Sequence, residues 1–113
     1  MSFDKSLMSG STMLMILSLL QSEDMYGYQM VKELEKRSEN AFSLKEGTLY
    51  PILHSLEKHG LVISYTSEGD KGKKRKYYKI TNEGVKELKA KKDEWVSFST
   101  SINKVIEVNK YVL

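Results

Sequence analysis

Ser43-Leu44-Lys45-Glu46-Gly47-Thr48-Leu49-Tyr50-Pro51-Ile52-Leu53 opens a stretch that runs on through Leu56-Glu57-Lys58-His59-Gly60-Leu61-Val62. It closes on Lys71-Gly72-Lys73-Lys74-Arg75-Lys76-Tyr77-Tyr78-Lys79. Leu49, Ile52, Leu53 and Leu56 recur at spacings of three and four, the pattern of a helix with one apolar face. Ser43 followed three residues later by Glu46 has capping-box spacing and predicts the start of that helix. Gly60 is suited to end it. Pro51 has no N–H to donate, so either the helix starts near Gly47 or its first turns are distorted. Residues 61–67 and 76–80, rich in Val, Ile, Tyr and Thr, read as two strands, with residues 68–75 as a glycine-containing hairpin tip. Six of the nine residues from Lys71 to Lys79 are cations, two are tyrosines and none is acidic. A basic hairpin with aromatics at its base suits a phosphate backbone.

Upstream, residues 5–21 form a helix-length segment. Leu7, Leu14 and Leu17 fall on one face, while Met13, Met15, Ile16, Leu19 and Leu20 cover much of the rest. A helix apolar nearly all round is buried on both sides, and in so small a protein one side is expected to meet a second subunit. Asp24 is the expected cap of a second helix carrying Tyr26, Met30, Val31 and Leu34 and ending near Ser38. Downstream, Thr81 or Asn82 caps a last helix that can run to the C-terminus. Thirty helical residues span about 45 Å, too long for the rest of the chain to cover. Leu88, Trp95 and Ile102 repeat every seven residues, and Phe98, Val105 and Val112 repeat in the companion register, interrupted by Lys91 and Asn109. Coiled-coil-like pairing with a second copy explains that pattern economically.

The totals bound what such a chain can do. Its 113 residues, 40% hydrophobic and 29% charged, fit one ordinary globular domain. The net charge of +3 is unevenly spread: −2 over residues 1–40, +4 over 41–81 and +1 over 82–113. The basic excess therefore belongs to a located surface. There is no cysteine, hence no disulfide or thiolate chemistry. The apolar run 13–20 is too short to cross a bilayer, and the N-terminus lacks a secretory signal pattern. No membrane association and a cytoplasmic location are expected. His54 and His59 stand five apart, the wrong spacing for two ligands on one helical face, so no metal is expected. Nor does any nucleophile–base pair or phosphate-cradling glycine loop point to an enzyme, and no cofactor is implied.

Three helices, a two-stranded hairpin and a flanking helix make an α+β, mostly α, winged helix-turn-helix, in which the third helix enters the major groove and the hairpin lies along the backbone. Residues 47–53 and 56–62 closely resemble the recognition-helix region of PadR-like transcriptional regulators. The wing, residues 72–78 with Ile80-Thr81 and Gly84, resembles that family's second signature, and Tyr26-Gly27-Tyr28 its third. The resemblance covers roughly residues 6–90, with the signatures in the expected order. It implies a homodimeric repressor of the short form, with residues 1–81 as the DNA-binding domain and 82–113 as a C-terminal dimerisation helix. The first helix would contribute to the dimer. The runner-up reading is a winged-helix adaptor without an operator, for which a neutral wing would be the mark.

On that reading Lys45, Thr48, Tyr50 and His54 touch base edges or nearby phosphates, and Lys73, Lys74, Arg75 and Lys76 bind phosphates or reach the minor groove of a pseudo-palindromic double-stranded operator. Tyr50 can equally pack the helix against its neighbour, and Gly27 reads as a close-packing position. Tyr77 and Tyr78 alternate across their strand, one toward the core and one toward the surface. Leu88, Trp95, Phe98, Ile102 and Val105 form the expected dimer interface. Trp95 has two readings: a seam residue, or with its symmetry mate the wall of an apolar cavity for a small aromatic ligand. Some short PadR-like regulators similarly bind flat aromatic compounds between such tryptophans; here Leu7, Leu14 and Ser18, on one face of the first helix, would complete the wall, with Phe98 nearby.

Overall fold

The structure is a computed structural model, and residues 10–69 and 72–106 are described. Leu7, Lys71, Asn109 and Val112 lie outside the described residues. The chain order is α1 (Thr12–Ser22), β1 (Met25–Tyr26), α2 (Gly27–Arg37), α3 (Glu46–Lys58), β2 (Val62–Glu68), β3 (Lys74–Ile80) and α4 (Asn82–Ile106). Helix α1 buries Ile16, Leu17, Leu19 and Leu20, and α2 buries Met30 and Leu34. Helix α3 turns inward the leucines that the three–four spacing selects: Leu49, Leu53 and Leu56 are buried. Full burial of each such side chain is worth about 1.5–3 kcal/mol. Together with Met25, Val62 and Tyr78 they make one core.

The strands form a three-stranded antiparallel sheet with β3 in the middle, flanked by β1 and β2. The hairpin runs in register from Val62↔Ile80 to Glu68↔Lys74. The third strand departs from the two-stranded wing expected. Met25 and Tyr26 pair with Tyr78 and Tyr77, a segment too short for a period-two pattern to register in sequence. One consequence is that Asp24 does not cap α2. Tyr26 occupies that position in extended backbone with no side-chain cap, and the Asp24 carboxylate instead accepts a hydrogen bond from the Tyr65 hydroxyl at 2.5 Å.

The start of α3 is also corrected. Lys45 is its N-cap and makes no side-chain cap bond, while the Ser43 hydroxyl faces the Glu35 carboxylate at 3.5 Å. Starting at Glu46 leaves Pro51 inside the helix, where its missing N–H removes one bond, to the carbonyl four residues back. The C-terminus follows expectation. Gly60 takes a left-handed φ of 73°, and the Gly60 and Leu61 amides bond back to the Glu57 and Leu56 carbonyls at 3.0 and 2.9 Å. This is the paired-bond ending that a helix reaches most easily with glycine. Thr81 caps α4: its hydroxyl accepts from the Gly84 amide at 3.0 Å and donates to the Gly60 carbonyl at 2.7 Å. One threonine thus fixes both the end of α3 and the start of α4.

Helix α4 joins the core only through its first turns, where Gly84 and Leu88 are buried. From there it runs on for a total of 25 residues, about 37 Å at 1.5 Å per residue.

Candidate nucleic-acid interface

Helix α3 turns its inward leucines toward the core and leaves a polar outward face. Lys45, Thr48 and His54 are exposed. Gly47, Pro51, Ser55 and Lys58 lie among them and are exposed too, though none of the four was among the expected contacts. A Cβ at Gly47 would meet nothing within 4 Å, so the helix presents bare backbone there. Tyr50 sits at the opposite edge of this face from Thr48, about 160° around the axis at 100° per residue. It is 38% exposed, and its hydroxyl and ring lie against Gly27, where an added Cβ would stand 2.9 Å from Cζ and closer still to the hydroxyl. Burial raises the Tyr50 phenol above its usual 10.0, assisted by Glu46 and Tyr78 and opposed by Lys76. Tyr50 therefore packs α3 onto the start of α2 while keeping an edge in solvent.

The wing carries the second group of candidates. Lys73, Lys74 and Lys76 are exposed, whereas Arg75 is half-buried. Alternation places Tyr78 inward, 1% exposed, and Tyr77 outward. On that outer face the sequence reading missed a row of side chains. The Tyr77 ring is stacked on Tyr65, centroids 5.7 Å apart, and meets Tyr26 edge-on at 5.5 Å. The Arg75 guanidinium lies 4.4 Å from the centre of the Tyr26 ring and donates to its hydroxyl at 3.1 Å. Strand alternation could have placed Arg75 with Tyr77. Only the pairing with β1 brings in Tyr26.

Along α4 the seam residues divide. Leu88 is 1% exposed: it lies in the core of its own chain and not on the open face expected of a dimer residue, because α4 is still packed on the sheet at that turn. Beyond it Trp95, Phe98, Ile102 and Val105 are exposed, at 49%, 58%, 40% and 82%. Among the described residues nothing covers this apolar stripe, which is the kind of patch that interaction surfaces carry. An open groove of about 860 Å³ lies where Gly10, Ser11 and Leu14 of the α1 end face Lys91, Trp95 and Phe98. Leu14, Trp95 and Phe98 line this groove together, while Ser18 is not part of the lining. Lys91 pairs with Glu94 at 3.8 Å on its wall.

Among the described residues no helix is long and apolar enough to cross a membrane, and no cluster of His, Asp or Glu could hold a metal ion. An exposed helix following a helix and turn, continued by a basic hairpin, defines a winged helix-turn-helix DNA-binding protein. Residues 16–90 match the transcriptional regulator PadR-like family, and the chain belongs to that family, whose members are DNA-binding transcriptional regulators and not enzymes. A transcriptional regulator of known structure from Clostridium thermocellum is 37% identical, with a TM-score of 0.82 over 90% of this chain and 96% of that one. A PadR family transcription regulator from Clostridium difficile is 38% identical, with a TM-score of 0.76 over 85% of this chain and 98% of its own. The transcriptional regulator YqjI of Escherichia coli is 27% identical over 75% of this chain, which spans only 39% of that longer protein.

Proposed function

We propose that this regulator is a homodimeric repressor acting in the cytoplasm on a pseudo-palindromic DNA site, and that a small apolar or aromatic compound bound near Trp95 relieves repression. The observation that carries the DNA reading is the joint exposure of Lys73, Lys74 and Lys76 on the wing and of Lys45, Thr48 and His54 on α3. Lys45, Thr48, Tyr50 and His54 touch base edges or nearby phosphates, and the wing edge from Lys73 to Lys76 follows the backbone. Thr48 and Tyr50 suit hydroxyl contacts, and neither is the arginine or asparagine that reads a base strongly by two hydrogen bonds. Discrimination at each half-site is accordingly modest, and DNA shape and two-fold symmetry supply the rest. The division of labour is residues 1–81 for DNA and 82–113 for dimerisation.

The uncovered stripe of α4 supports the dimer, with Trp95, Phe98, Ile102 and Val105 meeting their counterparts. Half-sites then lie about 10 base pairs apart. The groove beside Leu14, Trp95 and Phe98 supports the ligand. Its occupant relieves repression by favouring a different spacing of the two α3 helices.

Replacing Lys73, Lys74 and Lys76 by Ala is expected to weaken binding to any duplex and to lower the log–log salt slope by roughly 0.9 for each phosphate no longer neutralised. Unchanged affinity and slope would remove the wing from the interface. Trp95→Ala is expected to abolish binding of a flat aromatic probe such as a bisbenzimide dye, followed by the dye's own fluorescence, while leaving the dimer; retained dye affinity would place the ligand elsewhere.

A further inference from the structure

Among the four consecutive cations Lys73 to Lys76, Arg75 alone is not exposed. Its side chain runs back across the sheet. The guanidinium lies over the Tyr26 ring and bonds the Tyr26 hydroxyl, and a Cβ at Gly69 would stand 3.1 Å from its Nη1 and 3.4 Å from its Cδ. Arg75 thus fills the space between β1 and the hairpin tip. The pairing explains why this position matters. Strand β1 pairs with only Tyr77 and Tyr78, so Thr66↔Lys76, Ser67↔Arg75 and Glu68↔Lys74 form a two-stranded ribbon beyond the edge of the three-stranded sheet. Two-stranded ribbons twist more freely than wider sheets. Arg75 stands where the ribbon leaves the sheet and ties it to Tyr26, the residue immediately before α2. Behind it Tyr26, Tyr77 and Tyr65 run across all three strands, and Asp24 closes the far end through the Tyr65 hydroxyl.

We propose that Arg75 is a positioning residue: stacked on Tyr26, it sets the angle at which the wing lysines meet DNA, and it does not itself neutralise a phosphate. The proposal rests on the DNA-reading wing above and goes beyond it by separating one cation from its neighbours. The planar guanidinium carries the role, since it stacks and hydrogen-bonds at once, which an ammonium cannot do.

Two measurements test it. The first uses the free protein. Backbone amide order parameters at Thr66–Glu68 and Lys73–Lys74 are expected to fall from about 0.85 toward 0.6 in Arg75→Lys, Arg75→Gln and Tyr26→Leu, and to stay unchanged in Lys74→Gln. An unchanged ribbon in Arg75→Lys and Arg75→Gln, neither of which removes core, overturns the strut whatever the protein does with DNA. The second is anisotropy on a labelled 20-base-pair duplex across a salt series. Arg75→Gln and Arg75→Lys are both expected to lose about tenfold in affinity with the wild-type salt slope kept, while Lys74→Gln lowers the slope by about 0.9. Recovery of affinity by Arg75→Lys, with a flattened slope in Arg75→Gln, would make Arg75 a phosphate ligand and overturn the proposal. Failure of the wild-type protein to bind any duplex would instead count against the proposed function, and the order parameters would still decide the strut.

Discussion

Gly27 and Gly84 look alike in sequence, each near a helix start, but they differ in what an added methyl meets. At Gly84 a Cβ would collide with the Leu61 carbonyl oxygen and stand 2.6 Å from Ile80 Cγ1. Backbone must move to admit it, so Gly84→Ala is expected to lower stability by about 2 kcal/mol, as overpacking does. At Gly27 the obstacle is the outer end of Tyr50, a half-exposed ring that can swing away. Gly27→Ala is expected to change stability by less than about 1 kcal/mol yet to weaken DNA binding by displacing Tyr50. Thermal denaturation paired with DNA titration of both variants separates the two effects. Equal stability losses would mean that Tyr50 is as fixed as the Leu61 backbone. Tyr65 offers a titration. Its phenol is raised above 10.0, first because it donates a hydrogen bond to the Asp24 carboxylate and then by desolvation. A raised phenol favours the fold at every pH below 10 and ceases to do so as pH climbs through the raised value. Absorbance titration near 295 nm is expected to show a late-titrating tyrosine that returns toward 10 in Asp24→Asn. No change in that variant would contradict the hydrogen bond.

At the scale of elements, α4 is the clearest case of an apolar surface left open among the described residues. Phe98 is 58% exposed, so Phe98→Asp is expected to leave the fold intact and to reduce the sedimenting mass from twice the 13.0 kDa chain to the chain itself. A dimer that survives would move the interface off this stripe. What was legible in the sequence follows the same division between local and distant causes. The three–four spacing in α3, Gly60 as a helix stop and Thr81 as a cap each depend on neighbours along the chain, and each is found in place. Strand β1 was not legible, because two residues carry no periodicity and their pairing is decided by Tyr77 and Tyr78, some fifty positions on. Asp24 and Ser43 have the local pattern of caps, but each side chain instead faces a partner on another element, Tyr65 and Glu35. Leu88 fits the seven-residue repeat, but the repeat cannot tell whether a turn faces the chain's own sheet or a second copy. The lysines of the wing were readable as exposed charge, whereas the Arg75–Tyr26 contact joins residues 49 apart and needed the fold.

For the molecule as a whole, the basic excess of residues 41–81 lies in the region of α3 and the wing, while exposed large apolar side chains gather on α4 from Trp95 onward. Two copies joined along α4 would carry two α3 helices and two wings, and a two-fold protein reads a two-fold site. Anisotropy of the protein titrated onto labelled DNA from upstream of its own gene, beside an unrelated duplex, tests this most directly, at about 50 and 200 mM salt where phosphate contacts show. The expected result is binding of one dimer per site, with a preference for the upstream DNA that survives the higher salt. Absence of binding even at the lower salt would contradict a DNA-reading wing and leave the fold to serve as an adaptor.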